Sequence, residues 1–145
     1  MESNMRVSIA VLLMLHGLIT AAQSSGSFNP TGGISNPSWV VWWPTALGQS
    51  WLFPRLGLEK SLAGTLAGVL WFIAGAALVA AGLGIFGFIV PASWWRPLAA
   101  AGAGVSLLLF VMYAHPFYVI GIAADIAILV ILLWAKWPSP EVLGS

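Results

Sequence analysis

Three polar side chains interrupt long apolar stretches of this chain: His16 in VSIAVLLMLHGLITAA, Ser106 in LAAAGAGVSLLLFVMYA and Asp125 in IGIAADIAILVILLW. Imidazole and carboxyl groups accept and pass on protons, imidazole near neutral pH. Placed together they can also hold the polar end of a ligand. The rest of the chemical inventory is thin. Cysteine is absent, which removes thiol catalysis, disulfides and thiolate-held metals. The four acids and two histidines are scattered, without metal-ligand spacing, a triad, a phosphate loop or a carboxylate pair. His115 adjoins Pro116 and reads as an interfacial turn residue, so the histidines do not form an axial pair for haem. No catalytic residue, metal or cofactor is expected, and an independent enzyme is the least favoured class.

A carboxylate at mid-span costs about 2.5–3.5 kcal/mol on insertion scales, so Asp125 must face other helices and find a partner or a proton. Helical rise indicates which residues can reach it. Asp125 lies about 12 Å past Phe117, His16 about 9 Å before Ala22, and Ser106 about 13 Å before His115. The three therefore fall in one layer, which predicts an intramembrane polar cluster in which Asp125 pairs with His16 and Ser106 bonds nearby. Such a pair has two readings. It is an interhelical clamp, for which bonds of this kind average about 0.6 kcal/mol, or it is a proton-accepting or ligand-binding site.

The elements that position these residues follow from composition. Only 6% of the 145 residues are charged and 60% are hydrophobic, too few polar side chains to cover a water-facing surface. Runs of this length and apolarity read as membrane spans. The expectation is an all-α membrane protein, a four-transmembrane-helix bundle with residues 1–145 forming one domain. Its spans lie at about 7–23, 62–88, 97–114 and 117–135. The first span also has the features of a signal peptide, an alternative left open. Ser24 begins a turn-rich connection, and an aromatic-rich segment at about 38–56 is read as interfacial, with Trp39, Trp42, Trp43, Trp51 and Phe53 at the bilayer surface. Glycines in the spans, Gly17, Gly64, Gly68 and Gly121 foremost, are read as helix-packing positions.

Four spans put both termini on one side, with Arg6, Arg96 and Lys136, against Arg55 and Lys60 opposite. The positive-inside rule then predicts cytoplasmic termini in the cell membrane. A net charge of +1 without a basic cluster argues against a nucleic-acid partner.

LLMLHGLITAAQ, the Gly/Ala-rich spans and HPFYVIGIAADIAIL together resemble a group of small bacterial four-span membrane proteins that open with a His-Gly pair and carry Asp or Asn in the fourth span. More distantly the chain is similar to DoxX-type membrane proteins, some of them tied to quinone-linked redox complexes. The resemblance implies the four-span fold and singles out His16, Gly17 and Asp125. Thr20 stands where members often have a second histidine. Two function classes follow: an accessory or structural subunit docking on other membrane proteins, or a binder of a small apolar ligand, a quinone or lipid, with His16 and Asp125 at its polar end.

Overall fold

In hydrocarbon every backbone N–H and C=O must be satisfied within the chain, so apolar runs of this length form helices. The computed structural model describes residues 2–28 and 50–139, which contain helices, turns and no strand. Four helices make up the bundle: α1 (Glu2–Phe28), α2 (Lys60–Gly84), α3 (Trp95–Tyr113) and α4 (Val119–Leu129). Each lies in a stretch long and apolar enough to cross a membrane. The protein is a multi-pass membrane protein. Helix α1 packs along α2, α2 along α3, and α3 along α4, whereas α1 and α4 share little backbone contact.

Small residues set the α1–α2 approach. A Cβ on Gly17 would lie 2.7 Å from the Gly75 carbonyl oxygen, and one on Gly75 would collide with the Gly17 carbonyl. One register step away, a Cβ on Gly82 would lie 2.8 Å from the Ala10 carbonyl. Backbones that touch at such points gain dispersion contacts that lipid cannot supply. Gly68 and Gly121 serve differently: each seats an aromatic ring, Phe28 and Phe110 respectively, at 2.6 Å from a hypothetical Cβ. Gly64 is buried on α2. The outward face of α1 carries Leu12, Leu15, Leu18 and Ile19, all more than half exposed and available to lipid.

The interior has two halves. Toward the termini, Ala10, Leu13, Leu78, Ala81, Ala99 and Ala103 pack with Trp95 and Leu132. Toward the opposite end, Trp71 is enclosed by Phe110, Tyr113 and Tyr118, with ring centroids 4.9, 5.8 and 6.2 Å away. Helix ends are satisfied by side chains. Arg6 donates through Nη2 to the Ile85 carbonyl at 2.6 Å, just past the end of α2. Trp51 Nε1 donates to Val111 O and Ser50 Oγ to Met112 O, both at 2.8 Å, filling carbonyls that the last turn of α3 leaves open.

The element boundaries depart from the sequence reading in definite ways. Helix α1 does not stop near residue 23 but runs through SSGSF to Phe28, because Ser27 bonds to Tyr113 and the Phe28 ring sits on Gly68. Helix α2 ends at Gly84, four residues earlier than expected, where a turn with positive φ at Gly87 and Ile89 leads to α3. The fourth span enters through a short 3-10 turn at Pro116–Tyr118 and leaves α4 through a π turn, Val130–Trp134. Trp95, Tyr113 and Tyr118, aromatic residues at the ends of spans, are buried in the bundle. Of the aromatic segment, Trp39, Trp42 and Trp43 lie outside the described residues. Trp51 is exposed and anchored to α3, and Phe53 packs edge-on against Tyr113 at 6.2 Å.

Candidate functional site: an imidazole–carboxylate pair between a cavity and a polar column

Helix periodicity places residues 16, 20, 23 and 27 on one stripe of α1, spaced by four, three and four. They are His16, Thr20, Gln23 and Ser27, and Thr20, Gln23 and Ser27 are buried. This stripe faces the bundle, with Leu18 on the opposite side of the helix. It presents one polar group per turn to α3 and α4.

At its lower end His16 Nε2 lies 2.7 Å from Asp125 Oδ1. With the carboxyl ionised, Nε2–H is the donor. The distance suits a charge-assisted bond. Asp125 is fully buried and His16 is 14% exposed on its side chain, so the imidazole keeps one open edge. The pair is the main link across the α1–α4 seam, since the backbones there stand apart. Higher up, Tyr118 OH donates to Gln23 Oε1 at 3.3 Å and Ser27 Oγ donates to Tyr113 OH at 3.1 Å. Gln23 is fixed from its other end by a bond from Nε2 to the Ile19 carbonyl.

Among the described residues three buried side-chain oxygens lack a hydrogen-bond partner: Thr20 Oγ1, Ser106 Oγ and Asp125 Oδ2. The expected bond from Ser106 to the pair is therefore absent. Ser106 is buried, but its hydroxyl is left open while His16 takes only one carboxylate oxygen.

Below the pair the α1–α4 seam opens into a cavity of about 320 Å³. Leu12, Leu13 and His16 line it from α1, Ala124 and Ile128 from α4, and Leu132 from the π turn that follows, with Trp95, Trp137 and Pro138 toward the termini. The volume falls within the usual range of small-molecule pockets, roughly 300–1,000 Å³. Nε2 of His16 is committed to Asp125, which leaves Nδ1 as the ring nitrogen for any occupant.

His115 stands apart. Its Nδ1 accepts the Phe117 backbone N–H at 3.1 Å and caps the 3-10 turn between α3 and α4. Among the described residues no three His, Asp or Glu side chains come together in a way that would hold a metal.

Thr20, Gln23, Ser27, Tyr113 and Tyr118 were not singled out from sequence as site residues. The available signal was the four-three-four polar spacing on α1, continuous with His16. No protein-family model, curated protein or solved structure matches the chain.

Proposed function

We propose that this protein binds a small apolar molecule with a carbonyl or hydroxyl head, a quinone or a lipid, within the cell membrane. The observation that carries the reading is the cavity whose apolar wall holds the open edge of His16. Pockets of this kind combine apolar walls with a few placed polar groups. Asp125 fixes the imidazole through Nε2. A protonated imidazole offers Nδ1–H to a carbonyl oxygen, and a neutral one accepts a hydroxyl proton at Nδ1 while Nε2–H stays on Asp125. The same site thus accommodates the oxidised and reduced heads of a quinone.

The test is extraction from native membranes into polymer nanodiscs, followed by quantification of quinones and individual lipids per chain. A compound enriched over bulk membrane to near one per chain, and lost in Ala124→Phe, supports the reading. No enrichment overturns it.

The accessory-subunit reading has its own observation. A second groove of about 280 Å³ runs along α2 beside Gly75, Ala76 and Ala80, with Leu18 and Ala21 on its far wall. Small residues at such a surface admit a neighbouring helix. Co-extraction of another protein at fixed stoichiometry, abolished by Ala76→Leu or Ala80→Leu, supports this reading.

A further inference from the structure

By count along their helices the three unpartnered oxygens fall in one layer. Ser27 bonds to Tyr113, and Tyr113 and Tyr118 flank Trp71, which fixes a reference level across α1, α3 and α4. Thr20 lies seven residues before Ser27, Ser106 seven before Tyr113, and Asp125 seven after Tyr118. Seven residues are two helical turns, about 10.5 Å, and return each side chain to nearly the same face. All three oxygens therefore lie two turns inside that level, facing the interior. The His16–Asp125 bond ties the layer to the imidazole one turn below Thr20 on α1, and it leaves Oδ2 as the open oxygen.

The other helical hydroxyls provide a contrast. Ser8 and Thr65 bond to carbonyls one turn back, on Asn4 and Ser61, at 2.8 and 2.9 Å. This is the usual resource of Ser and Thr in helices. Thr20 and Ser106, which are more deeply buried, have no such bond. Buried water is held by about three otherwise unsatisfied polar groups, and three are present here.

We infer that Thr20 Oγ1, Ser106 Oγ and Asp125 Oδ2 form a binding site for internal water, through which the His16–Asp125 pair exchanges protons with the membrane face at Tyr113 and Tyr118. The polar column continues upward from this layer through Gln23 and Ser27, while the seam below His16 is apolar. A proton arriving as hydronium passes to Oδ2. It leaves a neutral water behind, and only O–H bonds are made and broken. The groups facing the pair are His16 and Thr20 on α1, Ser106 on α3 and Asp125 on α4, with Tyr113, His115 and Tyr118 toward the surface. The transmembrane part of α2 carries no ionisable side chain. The site stands whether or not the cavity below it holds a ligand.

Asp125 is the sole aspartate in the chain, so [4-13C]aspartate gives one carboxyl resonance. The full-length protein in lipid bilayers is measured by water-edited solid-state NMR. Magnetisation passes from water to the Asp125 carboxyl in the wild type and in Ala124→Phe, and falls severalfold in Thr20→Val/Ser106→Ala. Exchange into D2O at the pair slows about tenfold in the same double variant, while Thr20→Ser retains the wild-type rate. Loss of transfer in Ala124→Phe would place the water in the cavity and overturn the assignment. So would absence of transfer in the wild type, or its persistence in a double variant of unchanged helical content. A higher unfolding midpoint in the double variant, with no change in exchange, would mark the hydroxyls as dry and also overturn it.

Discussion

Removal of the His16–Asp125 bond should be measurable as a coupling energy, with its size set by the geometry. The bond spans 2.7 Å between an imidazole and a fully buried carboxyl, a distance that suits a charge-assisted bond. Neutral interhelical bonds in membranes average about 0.6 kcal/mol and reach about 1.7, and charge assistance roughly doubles a bond. The unfolded reference state keeps the helices inserted, so the carboxyl there also finds a proton or another partner. A coupling of about 1.5 kcal/mol follows, a little over tenfold in the folding equilibrium. The experiment is a double-mutant cycle of His16→Leu and Asp125→Leu, read by reversible unfolding in mixed micelles or by steric trapping in bicelles. His16→Leu takes from a buried carboxyl its one protein partner and should be the more damaging single change. The double variant should recover most of that loss, because replacing both partners removes the orphan. Single losses that simply add, with coupling below about 0.3 kcal/mol, would refute the pairing as an energetic link between α1 and α4.

The close approach of α1 and α2 predicts that Gly75→Val costs about 1–3 kcal/mol through overpacking against the Gly17 carbonyl and Ala21, read in the same unfolding assay. Gly104→Ala, whose Cβ meets nothing within 4 Å, should be near neutral and serves as its control. Trp51→Phe keeps an aromatic ring but removes the donor to Val111 O. It should lower stability by about 1 kcal/mol and speed amide exchange in the last turn of α3, whereas unchanged exchange would show that the anchor is not needed there.

The fold was legible because its physics is one-dimensional: hydropathy alone locates four spans, and a lone carboxyl in the fourth must find a partner. The partner was legible too, since depth counted from the span ends left few polar groups at that level. Rotation about each helix was harder to read. Depth put Ser106 beside Asp125, but whether its hydroxyl reaches the carboxylate depends on facing angles that rise per residue does not contain. Aromatic residues at span ends pose the same difficulty. Tyr113 and Tyr118 have the composition and position of a belt, yet they turn inward because Ser27, Gln23 and Trp71 give them partners there. The end of α1 was misplaced because SSGSF has the composition of a turn, and only the tertiary seats for Ser27 and Phe28 keep it helical.

The position of Asp125 along the seam argues against a clamp as its whole purpose. A clamp gains most where both carboxylate oxygens are bonded and the surrounding side chains are close-packed. Here one oxygen is bonded and the other is open, two hydroxyls in the same layer are unpartnered, and a cavity adjoins the imidazole. Each orphaned buried atom costs about 1–3 kcal/mol if it stays dry, so three would outweigh the roughly 1.5 kcal/mol that the bond returns. Were these atoms dry, apolar side chains at the three positions would make a more stable bundle. The pair instead sits where the seam changes character, with Leu12, Leu13 and Ile128 below it and Thr20, Gln23 and Tyr118 above. On the readings proposed above, a group placed there meets a bound apolar molecule through His16 and the internal water through Oδ2. That placement is useful to a site that passes protons between a bound apolar molecule and one face of the membrane, and it is a cost without return in a site that only holds two helices together.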